Sequence, residues 1–330
     1  MAYRLTKAAA DTLLQRWAAR YTILAPRRMA GEGCFSDTDV VRYGPVQTLE
    51  EIEWEQKSDY SFKETLLPVN ETLFYYTEDV VTTPKLPEQE ILVFLRACDL
   101  HAVKRLDQIY LDNKFSDLYY ARRREKTRFI LMDCPSSCDT GFCASMGTNT
   151  ADRYDAAVGM NEDSLFLDIK WPPLAEGIDA SACEWRPAGV KENREKVTLP
   201  KKLSLDSYAK DIWAEYGGRC IGCGRCNFVC PTCTCFTMQD IHYKDTPKVG
   251  ERRRVWASCQ VDGFTDINGG ASFRKTQGER LRFKVMHKVH DFQERFGYTM
   301  CVGCGRCEAV CPEYISYIHV LNRLAKEEEG

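Results

Sequence analysis

Two stretches of the chain repeat one cysteine spacing, and no other feature limits the fold so tightly. The first, C-I-G-C-G-R-C-N-F-V-C-P, sets Cys220, Cys223, Cys226 and Cys230 ahead of Pro231. The second, C-V-G-C-G-R-C-E-A-V-C-P, sets Cys301, Cys304, Cys307 and Cys311 ahead of Pro312. Both read C-x2-C-x2-C-x3-C-P, the spacing with which bacterial ferredoxins hold [4Fe–4S] centres. Three thiolates two residues apart wrap three corners of one cubane, because a tight loop turns each sulfur toward a common point. Gly222, Gly224, Gly303 and Gly305 free that loop and let backbone N–H groups approach the cluster. The fourth cysteine falls in the next helical turn, points away, and ligates the other cube. The expected sets are Cys220, Cys223, Cys226 and Cys311 for one cluster, and Cys301, Cys304, Cys307 and Cys230 for the second. Structural zinc is tetrahedral and often held by C-x2-C pairs; a third cysteine and then x3-C-P, twice over, is not that pattern.

The rest of the composition agrees. The chain has 17 cysteines, an odd number. No apolar run reaches the ~18 residues of a membrane helix. Asp11, Gln15 and Arg16 break up the N-terminal segment where a signal sequence would sit. A cytoplasmic location is therefore expected, where disulfides are rare and many cysteines mean metal. A net charge of −3 and a pI near 6.1 give no sign of a nucleic-acid partner.

The organisation reads as two parts: a mixed α/β (α+β) domain over residues 1–200, then a cysteine-punctuated, mostly helical ferredoxin-like domain over 205–330. Pro200 and the lysines at 201–202 mark the connector between them. From Thr6 an amphipathic helix is expected, with Ala10, Leu13, Leu14, Trp17 and Ala18 on one face. Residues 91–96 (I-L-V-F-L-R) make a strand-length apolar run ending at Ala97 and Cys98. A helical pattern follows, with Asp99 as its cap and Leu100, Val103, Leu106 and Tyr110 on a buried face. A second strand-like run, 129–132, ends at Asp133 and Cys134. This is the size of a βαβ unit, which puts Cys98 and Cys134 at one edge of a parallel pair, where ligand sites of open α/β sheets gather. With Cys138 and Cys143 in the loop that follows, they make a candidate third [4Fe–4S] site; the alternative is a set of buried core cysteines.

Between the two runs, residues 279–296 place Leu281, Val285, Val289 and Phe292 at helical spacing. About seventy residues part Cys230 from Cys301. This spread resembles the α-helical ferredoxin domains of fumarate-reductase-type and heterodisulfide-reductase-type subunits. Cys233, Cys235 and Cys259 are left over, either as alternative ligands or as cysteines packed beside a cluster. Cys34 and Cys183 read as ordinary residues. Arg252, Arg253 and Arg254 either offset cluster charge, dock a partner, or form a solvated face. His287 and His290 read as surface residues rather than ligands. No G-x-G-x-x-G follows a strand, so no dinucleotide site is expected. A cluster-based sensor would usually need only one labile cluster and an output domain, neither of which is the pattern here.

Four further segments bear on family. They are A-C-D at 97–99, D-C-P-S-S-C-D-T-G-F-C-A-S-M-G-T-N at 133–149, C-P-T-C-T-C at 230–235 and R-R-R-V-W-A-S-C at 252–259. With F-S-D-T-D at 35–39 and E-R-L-R at 279–282, they make the chain resemble the family of iron–sulfur electron-transfer subunits of anaerobic sulfite reductases. More distantly, it is similar to β subunits of cytoplasmic sulfhydrogenases. The resemblance implies an electron-transfer subunit with no catalytic residue of its own. Its implied partners are a flavin-containing subunit that oxidises NADH and a sirohaem subunit that reduces sulfite to sulfide. The same relay in a hydrogenase is the alternative. The family pattern near the third site reads C-F-C, whereas this chain has Gly141, Phe142 and Cys143. A fourth ligand there falls to Cys138, or to an oxygen donor such as Asp99 or Asp139. Arg225, Arg306 and the arginines at 252–254 are expected at the partner contacts.

Overall fold

The computed structural model describes residues 2–33, 37–200, 203, 205–243 and 246–329. Cys34, the start of F-S-D-T-D and the connector lysines at 201–202 lie outside the described residues. The chain opens with β1 (Ala2–Thr6), which runs straight into α1 (Lys7–Ala18). The Thr6 side chain accepts a hydrogen bond from Ala9 N–H at 3.3 Å and so caps that helix. Ala10, Leu13, Leu14 and Trp17 are its buried face, as the spacing predicts. The strand before it escapes pattern reading because its buried residues, Ala2 and Leu5, are three apart and show no period of two.

Next come β2 (Tyr21–Met29), β3 (Val40–Pro45), β4 (Asn70–Tyr76) and β5 (Val81–Thr82). The βαβ region follows as β6 (Glu90–Arg96), α2 (Ala97–Tyr110), α3 (Leu118–Glu125) and β7 (Thr127–Met132). β8 (Ala156–Met160), β9 (Ser164–Ile169) and β10 (Ala182–Cys183) finish this part, and Cys183 pairs with Ala2 at the sheet edge. One mixed sheet runs in the order β10-β1-β9-β8-β7-β6-β2-β3, with β2, β6, β7 and β8 parallel at its centre. Central strands are buried on both faces, which is why they read as continuous apolar runs. Alternate residues serve opposite cores: Leu92, Phe94, Ile130 and Met132 pack with α1, while Val93, Leu95, Phe129 and Leu131 pack with α2. β6 and β7 are adjacent and in register from Ile91↔Thr127 to Arg96↔Met132, so Cys98 and Cys134 leave the same edge.

The later part is less helical than its sequence predicts. It contains α4 (Ile212–Arg219), α5 (Arg225–Phe228), and then a hairpin, β11 (Phe236–His242) and β12 (Gly250–Trp256). α6 (Gln277–Met286) continues through a π-helical turn (His287–Asp291) into α7 (Phe292–Phe296), then α8 (Arg306–Val310) and α9 (Tyr317–Glu329). The hairpin was hidden because β11 is polar and exposed along almost its whole length, and β12 carries the arginine run. β12 also pairs with β4, giving a second sheet in the order β11-β12-β4-β5 that joins the first two hundred residues to the last hundred. Of the three arginines, Arg254 is structural, while Arg252 keeps an exposed side chain. Arg254 is buried and donates to Glu71 at 2.7 Å and Asp117 at 2.8 Å; Arg253 pairs with Glu251, and Arg252 with Asp240.

The two parts also exchange core residues. Phe142, fully buried, belongs to the helical core with Trp213, Leu281 and Leu321, while Val302 and Cys304 belong to the core beneath α2. Among the described residues, no helix is long and apolar enough to cross a membrane.

Candidate functional site

Three cavities in a row are lined by cysteine. The first is built on the turn after α4, where Gly222 and Gly224 have φ of 67° and 74°, a left-handed backbone that favours glycine. Cys220, Cys223 and Cys226 from this turn meet Cys311 from the second run, and Cys307 also reaches the wall. Cys223 is exposed, and Ile221 on the same wall is 60% exposed, so this cavity lies near solvent.

The second cavity is lined by Cys301, Cys304 and Cys307 together with Cys230 from the first run. Each cavity thus takes three cysteines from one run and the last cysteine of the other. Burial pushes the Cys301 thiol up to about 12. A hydrogen bond from the Cys233 thiol holds Cys230 well below the usual thiol range, aided by the Lys288 and Lys284 ammonium groups. Cys230 also lies 3.4 Å from Thr232 Oγ1, which accepts from Lys288 Nζ at 2.8 Å.

The third cavity is lined by Cys98, Cys134, Cys138 and Cys143, with Cys304 on its far wall. Cys98 enters from the first turn of α2, Cys134 from the end of β7, and the other two from the loop that follows. Asn193 braces that loop: its Oδ1 accepts from Ala144 N–H at 2.6 Å, and its Nδ2 donates to Ser137 Oγ at 3.1 Å and toward Cys143 Sγ at 3.6 Å. Arg96 Nη1 donates to Cys134 Sγ at 3.4 Å. Burial raises the pKa of Cys98, Cys134 and Cys143, so their thiolates need a cation close by.

The second and third cavities share a wall made of backbone. Phe142 N–H donates to Gly303 O at 2.8 Å, and Thr140 Oγ1 donates to Gly305 O at 3.0 Å. A Cβ at Gly305 would stand 2.0 Å from Thr140 O, so this approach requires glycine. Lys57 Nζ donates to Cys304 O.

The donors suit [4Fe–4S] centres: cysteines stand around open space, among buried cations and backbone N–H groups. Among the described residues, no three His, Cys, Asp or Glu close on a single metal ion.

Several expectations change. Asp99 is not a helix cap: Arg96 holds that position, and Asp99 sits buried in the first turn of α2. It forms a two-pronged ion pair with Arg306, at 2.6 and 2.8 Å, that ties α2 to the second cysteine loop. Asp99 is thereby committed, Asp139 is exposed and off the cavity wall, and Cys138 lines it. Arg306 is only 2% exposed, so it is a strut between loops and not a partner contact; Arg254 is buried as well. Arg225 is exposed. Cys235 and Cys259 hydrogen-bond to each other, and Cys259 also accepts from Asn227 Nδ2 at 3.0 Å; with Cys233 they stay off the three cavity walls.

Sequence reasoning missed the buried cations Lys63, Arg96, Lys284 and Lys288. For two of them a signal exists. Lys284 and Lys288 fall within the inward stripe of Leu281, Val285, Val289 and Phe292, where a lysine has no place unless something there is negative.

Comparison with known proteins fits this geometry. Residues 219–315 match the 4Fe-4S dicluster domain family. Over 315 residues the chain is 29% identical to the β subunit of sulfhydrogenase 2 of Pyrococcus furiosus, covering 86% of this chain and 91% of that one. No solved structure matches. The chain is an iron–sulfur electron-transfer protein related to that β subunit, in line with the resemblance read from its motifs.

Proposed function

We propose that the chain is the electron-relay subunit of a cytoplasmic, anaerobic reductase complex. Three [4Fe–4S] clusters, each exchanging one electron when bound, would be held by the three cysteine sets. The first set is Cys220, Cys223, Cys226 and Cys311; the second is Cys301, Cys304, Cys307 and Cys230; the third is Cys98, Cys134, Cys138 and Cys143. The observation that carries this reading is the row itself. Cys307 stands in both the first and second cavities, and Cys304 in both the second and third. The chain's residues keep neighbouring centres close, exclude water from the middle one and leave the first near solvent.

On this reading, an NADH-oxidising flavin subunit feeds electrons in. A sirohaem subunit takes them out to reduce sulfite to sulfide, following the motifs at 133–149 and 252–259. A second reading ends the same relay at a hydrogenase, and the similarity to a sulfhydrogenase β subunit favours it.

The test is NADH-driven sulfide formation, and separately hydrogen formation, in the purified complex with each subunit omitted in turn. Loss of activity without this chain is expected in one of the two assays. Full activity without it in both would sink the relay. Anaerobic protein should hold about twelve irons, at four per cubane; about eight would remove the third site.

A further inference from the structure

Lys284 lines both the first and the second cysteine cavity. It is 4% exposed and lies on α6 one turn before Lys288, which lines the second cavity alone and is anchored on Thr232. Cys226 shares the first of those walls with Lys284, Cys230 the second, and Cys307 both. A lysine buried this deeply between two sets of cysteines is stable only beside lasting negative charge. A cubane held by four thiolates carries such charge and gains one more unit with each electron. Standing on both walls, Lys284 faces both centres.

We infer that Lys284 is a shared electrostatic positioning residue, one fixed positive charge that raises the reduction potentials of the first and second centres together. Lys288 acts on the second centre alone, and the third lies beyond both. The inference rests on the relay reading above, because it needs clusters in these cavities. A balanced pair of potentials keeps an electron from being trapped on either centre as it crosses. Lysine also supplies a compact charge on a flexible four-carbon stem.

The experiment is a redox titration followed by EPR on the full-length, anaerobically reconstituted protein. It compares wild type with Lys284→Met, Lys284→Arg and Lys288→Met. Wild-type protein with fewer than about eight irons would defeat the relay reading before any variant is made. With clusters in place, Lys284→Met should make both the first and second centres at least tenfold harder to reduce, a shift of about 59 mV or more for one electron. The third should stay put, and Lys284→Arg should restore both to within threefold. Lys288→Met should move only the second. A Lys284→Met protein in which either centre keeps its wild-type potential, or all three move alike, overturns the inference. Should Lys284→Met fail to hold both clusters, Lys284→Gln takes its place in the titration. Cluster loss from both variants would also overturn it, since the lysine would then serve assembly.

Discussion

In the first cavity, three cysteines come from one seven-residue turn whose glycines hold a left-handed backbone, and the second run adds Cys311 and Cys307. In the third, cysteines arrive from a helix start, a strand end and a loop that must be pinned from elsewhere by Asn193 and Arg96. Similar donors are thus gathered by local geometry in one place and by tertiary structure in the other. A locally coded site should tolerate damage to its surroundings, and a tertiary one should fail with its supports.

The largest test of that contrast removes a ligand from each end. Cys311→Ser should lose the first cluster and keep the third; Cys138→Ser should do the reverse. Each should show about four fewer irons per chain, with the EPR signal of the far centre unchanged. If Cys311→Ser mainly perturbed the cluster of its own run, the crossed arrangement of the first two cavities would be wrong.

Next in size is the strut between loops. Arg306→Leu leaves Asp99 buried without a partner, which typically costs about 3–5 kcal/mol. Differential scanning calorimetry should show a clear fall in Tm. An unchanged Tm would mean that the pair bears no load. Both residues are almost fully buried, so solvent screening does little to soften the loss.

Asn193→Ala should cost less, about 1–3 kcal/mol for the Ala144 N–H it leaves unpaired. Its sharper readout is the rate at which a chelator strips iron: the third cluster should be lost faster, and the first at the wild-type rate. Equal acceleration at both would erase the distinction between local and tertiary sites.

The smallest effect is expected at the start of α6. There Thr276 accepts from Glu279 N–H, and the Glu279 carboxylate accepts from Thr276 N–H in return. Thr276→Ala should lower stability by about 1 kcal/mol in a chemical denaturation curve, and iron content should not change. Iron loss from this variant would show that the helix carrying Lys284 is far less independent than its capping implies.

The same contrast explains what the amino-acid sequence could reveal. The two cysteine runs, the βαβ unit and α1 rest on spacing within a few residues, and each is legible. So was the convergence of Cys98 and Cys134, because parallel neighbours fix which strand ends coincide. The pairing of β4 with β12 was not legible, since a polar, arginine-rich strand finds its partner only through carboxylates far away in the chain. Asp99 misled for a related reason. An aspartate near a helix start is usually a cap, and only the distant Arg306 shows that it is half of a buried pair.

The pairing of β4 with β12 also has a consequence in time. Arg254 and Glu71, which seal that pairing, lie 183 residues apart in sequence. Ribosomes add about 5–20 residues per second, so β4 waits roughly 10–40 s after its own synthesis before its neighbour exists. During that interval it is an open strand edge, the kind of surface on which nascent chains stick to one another. Its short hairpin mate β5 covers the other side, and Glu71 supplies a charge that discourages association until the arginine arrives. The sheet that unites the finished molecule therefore cannot be completed before Trp256 has been made.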